Sequence, residues 1–221
     1  MENIITIDGP SGVGKGTVSL KVAESLEWNI LDSGALYRIL ALVAKHNQVA
    51  IDDETRLVTL VDELNIQFIP LKNLSKLQII YAGQDIATEI RSETYGKMAS
   101  QIAVKPKVRR ALLAKQRAFY ISPGLVADGR DMGTIVFPKA KYKFFLTASC
   151  EERALRRYKQ LINIGIYVKL SELAVEIANR DQRDSTRTTA PLIAASDALT
   201  IDTTELSIEE VVERILNKLA F

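Results

Sequence analysis

The sequence predicts an α/β fold built on a doubly wound, mainly parallel sheet, and three observations carry that expectation. Short β-branched runs alternate with longer stretches of helical spacing along the 221 residues. A glycine-rich turn, Gly9-Pro10-Ser11-Gly12-Val13-Gly14-Lys15-Gly16-Thr17, follows the first such run and opens the first helical stretch. No repeat, low-complexity tract or flexible linker breaks the chain, so one core domain with inserted subdomains is the expected count.

The elements follow in order. Ile4-Ile5-Thr6-Ile7 reads as a buried strand that Asp8-Gly9-Pro10 stops. Residues 15 to 26 carry Val18, Val22 and Leu26 at helical spacing. After a second strand, Ser33 is the expected N-cap of a helix whose apolar positions include Leu36, Ile39, Leu40 and Val43. Asp53 to Leu64 reads as another helix. The character then changes: Ile66 to Ile69 and Leu77 to Tyr81 look like strands, with Ala82-Gly83-Gln84-Asp85 as a turn, which makes 66–90 a β-rich insertion. Helices are expected over about 93–104 and 106–121, the second opened by Pro106. Leu125-Val126-Ala127 and Lys143 to Leu146 are buried-strand candidates on either side of Gly129-Arg130-Asp131. Ser149 with Glu152, and Ser207 with Glu210, fit capping boxes and open helices of about 150–163 and 207–219. A helix of about 170–184 and a strand, Ala198 to Ile201, lie between them.

Composition narrows the class. At 47% hydrophobic and 25% charged, the chain is neither disordered nor a disulfide scaffold. Twenty-nine Lys and Arg against twenty-seven Asp and Glu leave a net charge of +2, too balanced for a nucleic-acid or anionic-membrane binder. The lone Cys150 builds no internal disulfide and no zinc site. Met1-Glu2-Asn3 leads straight into an apolar run without a signal-like n-region, and the longest apolar stretches fall far short of the ~20 residues of a membrane span. A cytoplasmic, soluble chain is expected, and a monomer, because no exposed apolar seam is visible.

The glycine turn is where phosphate binds. Its glycines let several backbone N–H groups converge on one anion, the helix N-terminus adds its positive dipole end, and Lys15 reaches the β- and γ-phosphates. An ordinary tight turn is the bland alternative, and Gly14-Lys15 in a strand–helix context argues against it. Where Ser or Thr usually follows the lysine, this chain has Gly16, then Thr17. Mg²⁺ is therefore expected to be held mainly by nucleotide oxygens and water, with Thr17 as the one protein candidate.

Arginines are spread where a second phosphate would lie. Arg130 and Asp131 stand just past a strand, at the end where ligands of open α/β sheets collect. Arg180, Arg183, Asp184 and Arg187 share one helical face if the helix persists. Arg153, Arg156 and Arg157 repeat the pattern on the preceding helix. Charge runs of this kind usually face solvent, but beside a phosphate loop the two helices joined near Gly165 look like a lid over phosphates. Arg38, early in its helix, can grip a phosphate bidentately. His46, Trp28 and Tyr37 are read as surface or packing residues.

Together the glycine loop, Asp32-Ser33-Gly34-Ala35-Leu36-Tyr37-Arg38, Asp128-Gly129-Arg130-Asp131-Met132-Gly133-Thr134 and Arg180-Asp181-Gln182-Arg183-Asp184 resemble the bacterial cytidylate kinases, of the P-loop nucleoside monophosphate kinases, over essentially the whole chain. The loop is common to that wider group; the second and third segments are more specific. The resemblance implies phosphoryl transfer from ATP to CMP, with dCMP as second acceptor and Mg²⁺ as cofactor. It implies that Gly9 to Thr17 bind ATP phosphates, that Ser33, Ser100, Arg109 and Asp131 surround the cytosine, and that Arg38, Arg130 and Arg187 grip the acceptor phosphate. Arg180 and Asp184 would meet the ribose, and Arg183 the transferring group; Lys15, Arg130, Arg183 and Arg187 would carry catalysis. It also implies an organisation: a core of about 1–35, 122–150 and 190–221, an NMP-binding subdomain of about 36–121, and a helical lid of about 151–189.

The residue chemistry agrees. A carboxylate such as Asp131 accepts from the cytosine amino group, while Ser100 and Arg109 donate to the other edge. Uracil presents a carbonyl to that carboxylate, a mismatch worth several powers of ten. A kinase of another small acceptor, such as shikimate, is the near alternative. A GTPase switch would carry Asn-Lys-x-Asp, but Asn217-Lys218 is followed by Leu219-Ala220.

Overall fold

The computed structural model describes residues 3–71, 76–163 and 165–219. Met1 and Glu2 of the amino-terminal reading, residues 72–75 of the β-rich insertion, and positions 164, 220 and 221 lie outside them.

The chain runs β1 (Ile4–Asp8), α1 (Lys15–Leu26), β2 (Asn29–Asp32), α2 (Ser33–His46), α3 (Glu54–Glu63), β3 (Ile66–Leu71), β4 (Lys76–Tyr81), β5 (Gln84–Asp85), α4 (Ala87–Ile90), α5 (Glu93–Ile102), α6 (Pro106–Ala118) and β6 (Leu125–Gly129). A π-helical turn (Met132–Val136) follows, then β7 (Tyr142–Thr147), α7 (Cys150–Asn163), α8 (Leu170–Thr186), β8 (Leu199–Asp202) and α9 (Ile208–Leu216).

Five strands form a wholly parallel sheet in the order β2-β6-β1-β7-β8. Flanking helices cover it, so every residue of the central strands β1 and β6 is buried, the polar Thr6, Asp8 and Asp128 included. The register sets Asp8 opposite Gly129 and Asp32 opposite Asp128. The C-terminal ends of β1, β2 and β6 therefore finish level, and the segments leaving them meet at one edge. α2 is buried nearly all round, through Leu36, Ile39, Leu40 and Val43 among others, and ties that edge to α5 and α3. A second, antiparallel sheet, β3-β4-β5, meets the end of α6, where the Phe68 ring lies 5.2 Å between centroids from that of Phe119, the residue after the helix.

The expected elements appear with shifted ends. β6 continues to Gly129, α6 stops at Ala118, α8 reaches Thr186, and the last strand begins at Leu199 rather than Ala198. Ser33 is not the N-cap of α2: the Asp32 carboxylate accepts from the Ala35 amide at 2.9 Å, and Ser33 is the first helical residue, which frees its hydroxyl. The capping box at Ser207 is complete. At Ser149 it is half made, because Arg156 holds the Glu152 carboxylate at 2.9 Å while the Ser149 hydroxyl takes the Glu152 amide. The four-residue α4 and the π turn were not anticipated. Among the described residues, no helix is long and apolar enough to cross a membrane.

Candidate functional site

The phosphate loop bridges β1 and α1, and close packing fixes its glycines. A Cβ on Gly9 would stand 2.2 Å from the Leu146 carbonyl oxygen, so the loop leaves the sheet by a path that only glycine can take. Gly14, at φ 94°, caps α1 in the left-handed region without a side-chain hydrogen bond, leaving the first-turn amides of α1 without a capping side chain. The loop's carbonyls are claimed from outside: Arg153 donates to Ser11 O at 3.1 Å, and Thr203 and Arg156 donate to Val13 O at 3.3 and 3.4 Å. Lys15 Nζ closes the loop on itself, donating to Pro10 O at 2.8 Å. Burial pushes its ammonium down to about 7, with Arg130 adding repulsion and Asp128 opposing it. Bound phosphate oxygens would reverse that shift, which makes the lysine a cation waiting for an anion.

Across from the loop, side chains from four segments converge. Arg109 of α6 forms a buried ion pair with Asp131, whose other oxygen lies 4.0 Å from Arg187. The Arg109 guanidinium also lies 5.8 Å over the Tyr37 ring and donates to Ala103 O. Gln116, two turns further along α6, donates to Ser33 Oγ at 2.8 Å. Arg38 is held by the carbonyls of Ile90 and Ser92 at 2.8 and 3.0 Å. Gly96 makes room for it: a Cβ there would sit 2.9 Å from a guanidinium nitrogen. Arg130 donates to Asp184 at 3.0 Å, and burial with the nearby Arg130 charge lowers Arg180 to about 10. The Asp184 carboxyl lies below its usual range because Arg130 and Arg180 outweigh its burial. Arg180 Nε and one terminal nitrogen of Arg187 are buried with no hydrogen-bond partner among the described residues. Buried donors left unpaired in this way are suited to oxygens of a ligand.

Loop and arginines face one cavity of about 430 Å³. Ser11, Gly12, Gly14, Lys15, Gly16 and Thr17 of the loop line it, and so do Ser33, Arg38, Ser100, Arg109, Arg130, Asp131, Arg180, Asp184 and Arg187. Gly9, Pro10 and Val13 support the loop without lining the cavity. Arg183 does not join the group. It is exposed, leans back to donate to Asn179 O at 3.3 Å, and borders a shallow groove with Lys97, Gln101 and Glu176. Within α8, Arg180 and Asp184, four apart, line the cavity while Arg183 lies to the other side of Arg180; Arg187, just past the helix end at Thr186, lines the cavity from an extended backbone. Arg153 and Arg156, expected to reach phosphates from the lid, instead fasten the loop's carbonyls. Arg157 does line the cavity, paired with Glu93.

Sequence reasoning missed several neighbours. Asp32 and Asp128 line the cavity at strand ends, a position that is itself a signal. Burial raises the Asp128 carboxyl to about 7 against the pull of Lys15. Asp8, Gln116 and Tyr37 carry no local signal, because each acts on residues far away in the chain.

A family profile described as cytidylate kinase matches residues 5–220. A cytidylate kinase of Azotobacter vinelandii is 55% identical over 217 residues, 98% of this chain and 95% of its own. One of Colwellia psychrerythraea is 53% identical over 213 residues, 96% of this chain and 94% of its own. A shikimate kinase of Bacteroides thetaiotaomicron superposes with a TM-score of 0.47 at 16% identity, over 98% of this chain and 99% of that one.

Proposed function

The chain belongs to the cytidylate kinase family and is a nucleotide kinase; from that premise we propose that it transfers the γ-phosphoryl group of ATP to CMP, and to dCMP, inside the cavity between the phosphate loop and the arginine cluster. The observation that carries the reading is the convergence of Lys15, Arg38, Arg130, Arg180 and Arg187 on one hollow that also holds the buried Asp131.

Phosphoryl transfer asks little of the protein beyond alignment and charge neutralisation, since the acceptor phosphate is already a competent nucleophile at neutral pH. The loop amides and Lys15 take the ATP phosphates, Lys15 exchanging the Pro10 carbonyl for phosphate oxygen. Arg38, Arg130 and Arg187 draw the CMP phosphate toward them. Arg180 and Asp184 take the ribose edge, and the unpaired Arg180 Nε is a donor in reserve. At the base, Asp131 accepts from the exocyclic amino group and Ser100 and Arg109 donate to the opposite edge, with Ser33 lining the same cavity. A uracil carbonyl would face the Asp131 carboxylate, repelling it in a site too buried for water to mediate.

Magnesium fits this donor set as an ion shared with the nucleotide. Among the described residues, no group of three or more His, Cys, Asp or Glu is arranged to hold a metal. Thr17 lines the cavity at the loop, and an Asp128 carboxyl oxygen lies 3.6 Å from where a Cβ on Gly16 would stand. One or two protein oxygens beside phosphates and water are what Mg²⁺ prefers. When bound, it neutralises charge between the phosphates.

The working division is a core of about 1–35, 122–150 and 190–221, an acceptor-binding portion of about 36–121, and a lid of about 151–189. The lid meets the acceptor portion through Arg157 with Glu93 and Lys97 with Glu176. The deciding experiment follows ADP formation from Mg-ATP with CMP, dCMP, UMP, AMP, GMP and shikimate offered in turn. CMP and dCMP should give the highest kcat/KM. A higher value with any other acceptor overturns the substrate assignment.

A further inference from the structure

Asp131 stands where the chain has already left the sheet. The pairing of β6 with β1 ends at Gly129 opposite Asp8, so strand hydrogen bonding does not place Asp131. The residues that follow it form the π-helical turn Met132–Val136, and that turn is gripped at both ends.

At the amide end, the two carboxyl oxygens of Asp8 accept from Met132 N and Gly133 N, each at 2.8 Å, across 124 and 125 residues of chain. Asp8 is only 4% exposed. These are the first two amides of the turn, which have no partner inside it. At the carbonyl end, Arg117 of α6 donates from Nε to Val136 O at 2.9 Å and from Nη2 to Ile135 O at 3.2 Å. An anion on the amides and a cation on the carbonyls match the turn's own dipole. Between them Gly133 leaves no slack: a Cβ would lie 2.9 Å from Thr6 Oγ1 and 3.4 Å from Asp8 Oδ2. The Asp131 carbonyl accepts from Ile135 N and Val136 N at 2.9 and 3.1 Å, so its backbone moves with the turn.

We propose that Asp8 and Arg117 are positioning residues for pyrimidine choice, which fix the Asp131 carboxylate against the cytosine amino group by clamping the two ends of the π turn. The inference rests on the reading of Asp131 as the residue that distinguishes cytosine from uracil. Its physical content is that a carboxylate rejects a carbonyl strongly only if it cannot move aside. In Asp8→Asn the charge is removed and one carboxyl oxygen becomes an amide nitrogen that faces a backbone N–H, so one bond is lost, the other is no longer charge-assisted, and the turn loosens.

The experiment measures kcat/KM for CMP and for UMP, with ATP saturating, in wild type, Asp8→Asn, Arg117→Gln, Asp131→Asn and the Asp8→Asn/Asp131→Asn pair. The CMP-to-UMP ratio should fall about tenfold in Asp8→Asn, the equivalent of one charged hydrogen bond, and in the same direction in Arg117→Gln. On the Asp131→Asn background, Asp8→Asn should leave the ratio where it was. A purely structural role would lower both substrates in proportion, and an unchanged ratio in folded Asp8→Asn overturns the proposal. Should Asp8→Asn fail to fold, Arg117→Gln decides alone, since Arg117 is an exposed residue whose removal spares the core: a lowered ratio supports the clamp, an unchanged one overturns it. If Asp131→Asn itself leaves the ratio unchanged, the base-reading role falls and the inference with it. A ratio that changes in Asp131→Asn alone sinks only the clamp.

Discussion

The Arg109–Asp131 pair offers the sharpest energetic test, because its side chains are 8% and 6% exposed and no solvent screens them. Arg109→Met keeps the aliphatic stem against Tyr37 but leaves Asp131 with Arg187, 4.0 Å away, as its remaining cation. Breaking a buried pair from one side costs about 3 kcal/mol. For a chain of this size that is a fall in Tm of about 6–12 °C. Asp131→Asn should cost less, about 2 kcal/mol, because Arg109 retains Ala103 O as an acceptor at 3.1 Å. In the double variant neither charge is stranded, so its loss should stay near that of the worse single change. The coupling, measured by urea unfolding at pH 7 and 25 °C, should then be about 2 kcal/mol. Strictly additive losses, near 5 kcal/mol in the double variant, would refute the claim that these groups act as a pair. Both single variants should also raise the KM for CMP far more than that for ATP.

Other outcomes follow from the same geometry. Lys15→Ala should lower kcat about a hundredfold, close to 3 kcal/mol of transition-state stabilisation, and a variant with full turnover would contradict the phosphate-loop assignment. Arg180→Gln should damage kcat/KM for CMP by tenfold or more, while Arg183→Gln, on the outer side of α8, should cost less; the opposite ranking in steady-state assays would mean that Arg183 swings into the cavity during turnover. Burial raises the Asp8 carboxyl from 3.8 to about 6, with the Gly133 and Met132 amides pulling the other way. The folded chain therefore holds the extra proton between those values. Its contribution is full below the lower value and lost as pH rises through the upper, by roughly 3 kcal/mol in all. Unfolding titrations of wild type and Asp8→Asn should diverge across that window, and parallel curves would place Asp8 in a more hydrated setting.

What the sequence revealed about the site was what acts locally. The phosphate loop was legible because its glycines, lysine and following helix are contiguous, and Arg130 with Asp131 because ligands gather at strand ends. Arg38, Ser100 and Arg109, carried by resemblance, reach the cavity from α2, α5 and α6, and Arg180, Asp184 and Arg187 from α8 and its end. Ser33 was read as a cap because hydroxyls cap helices, yet the Asp32 carboxylate at the end of β2 reaches the same amide and wins. Arg153 and Arg156 looked like lid cations; their partners are carbonyls of Ser11 and Val13, more than 140 residues earlier, which no spacing rule can indicate. Gln116 and Asp8 were invisible for the same reason. The π turn escaped because its stability comes from Asp8 and Arg117, far away in the chain, rather than from its own residues. In the fold, strand and helix identities followed from apolar periodicity, and the errors sat at ends, where capping contacts decide the last residue.

The central claim concerns where one phosphoryl group goes, and phosphorus NMR follows it directly. With Mg-ATP and CMP in equal amounts, the account predicts that CDP and ADP appear together and in equal amounts, with no inorganic phosphate beyond the background. Release of phosphate without CDP, or ATP left intact until an acceptor other than CMP or dCMP is added, would contradict it.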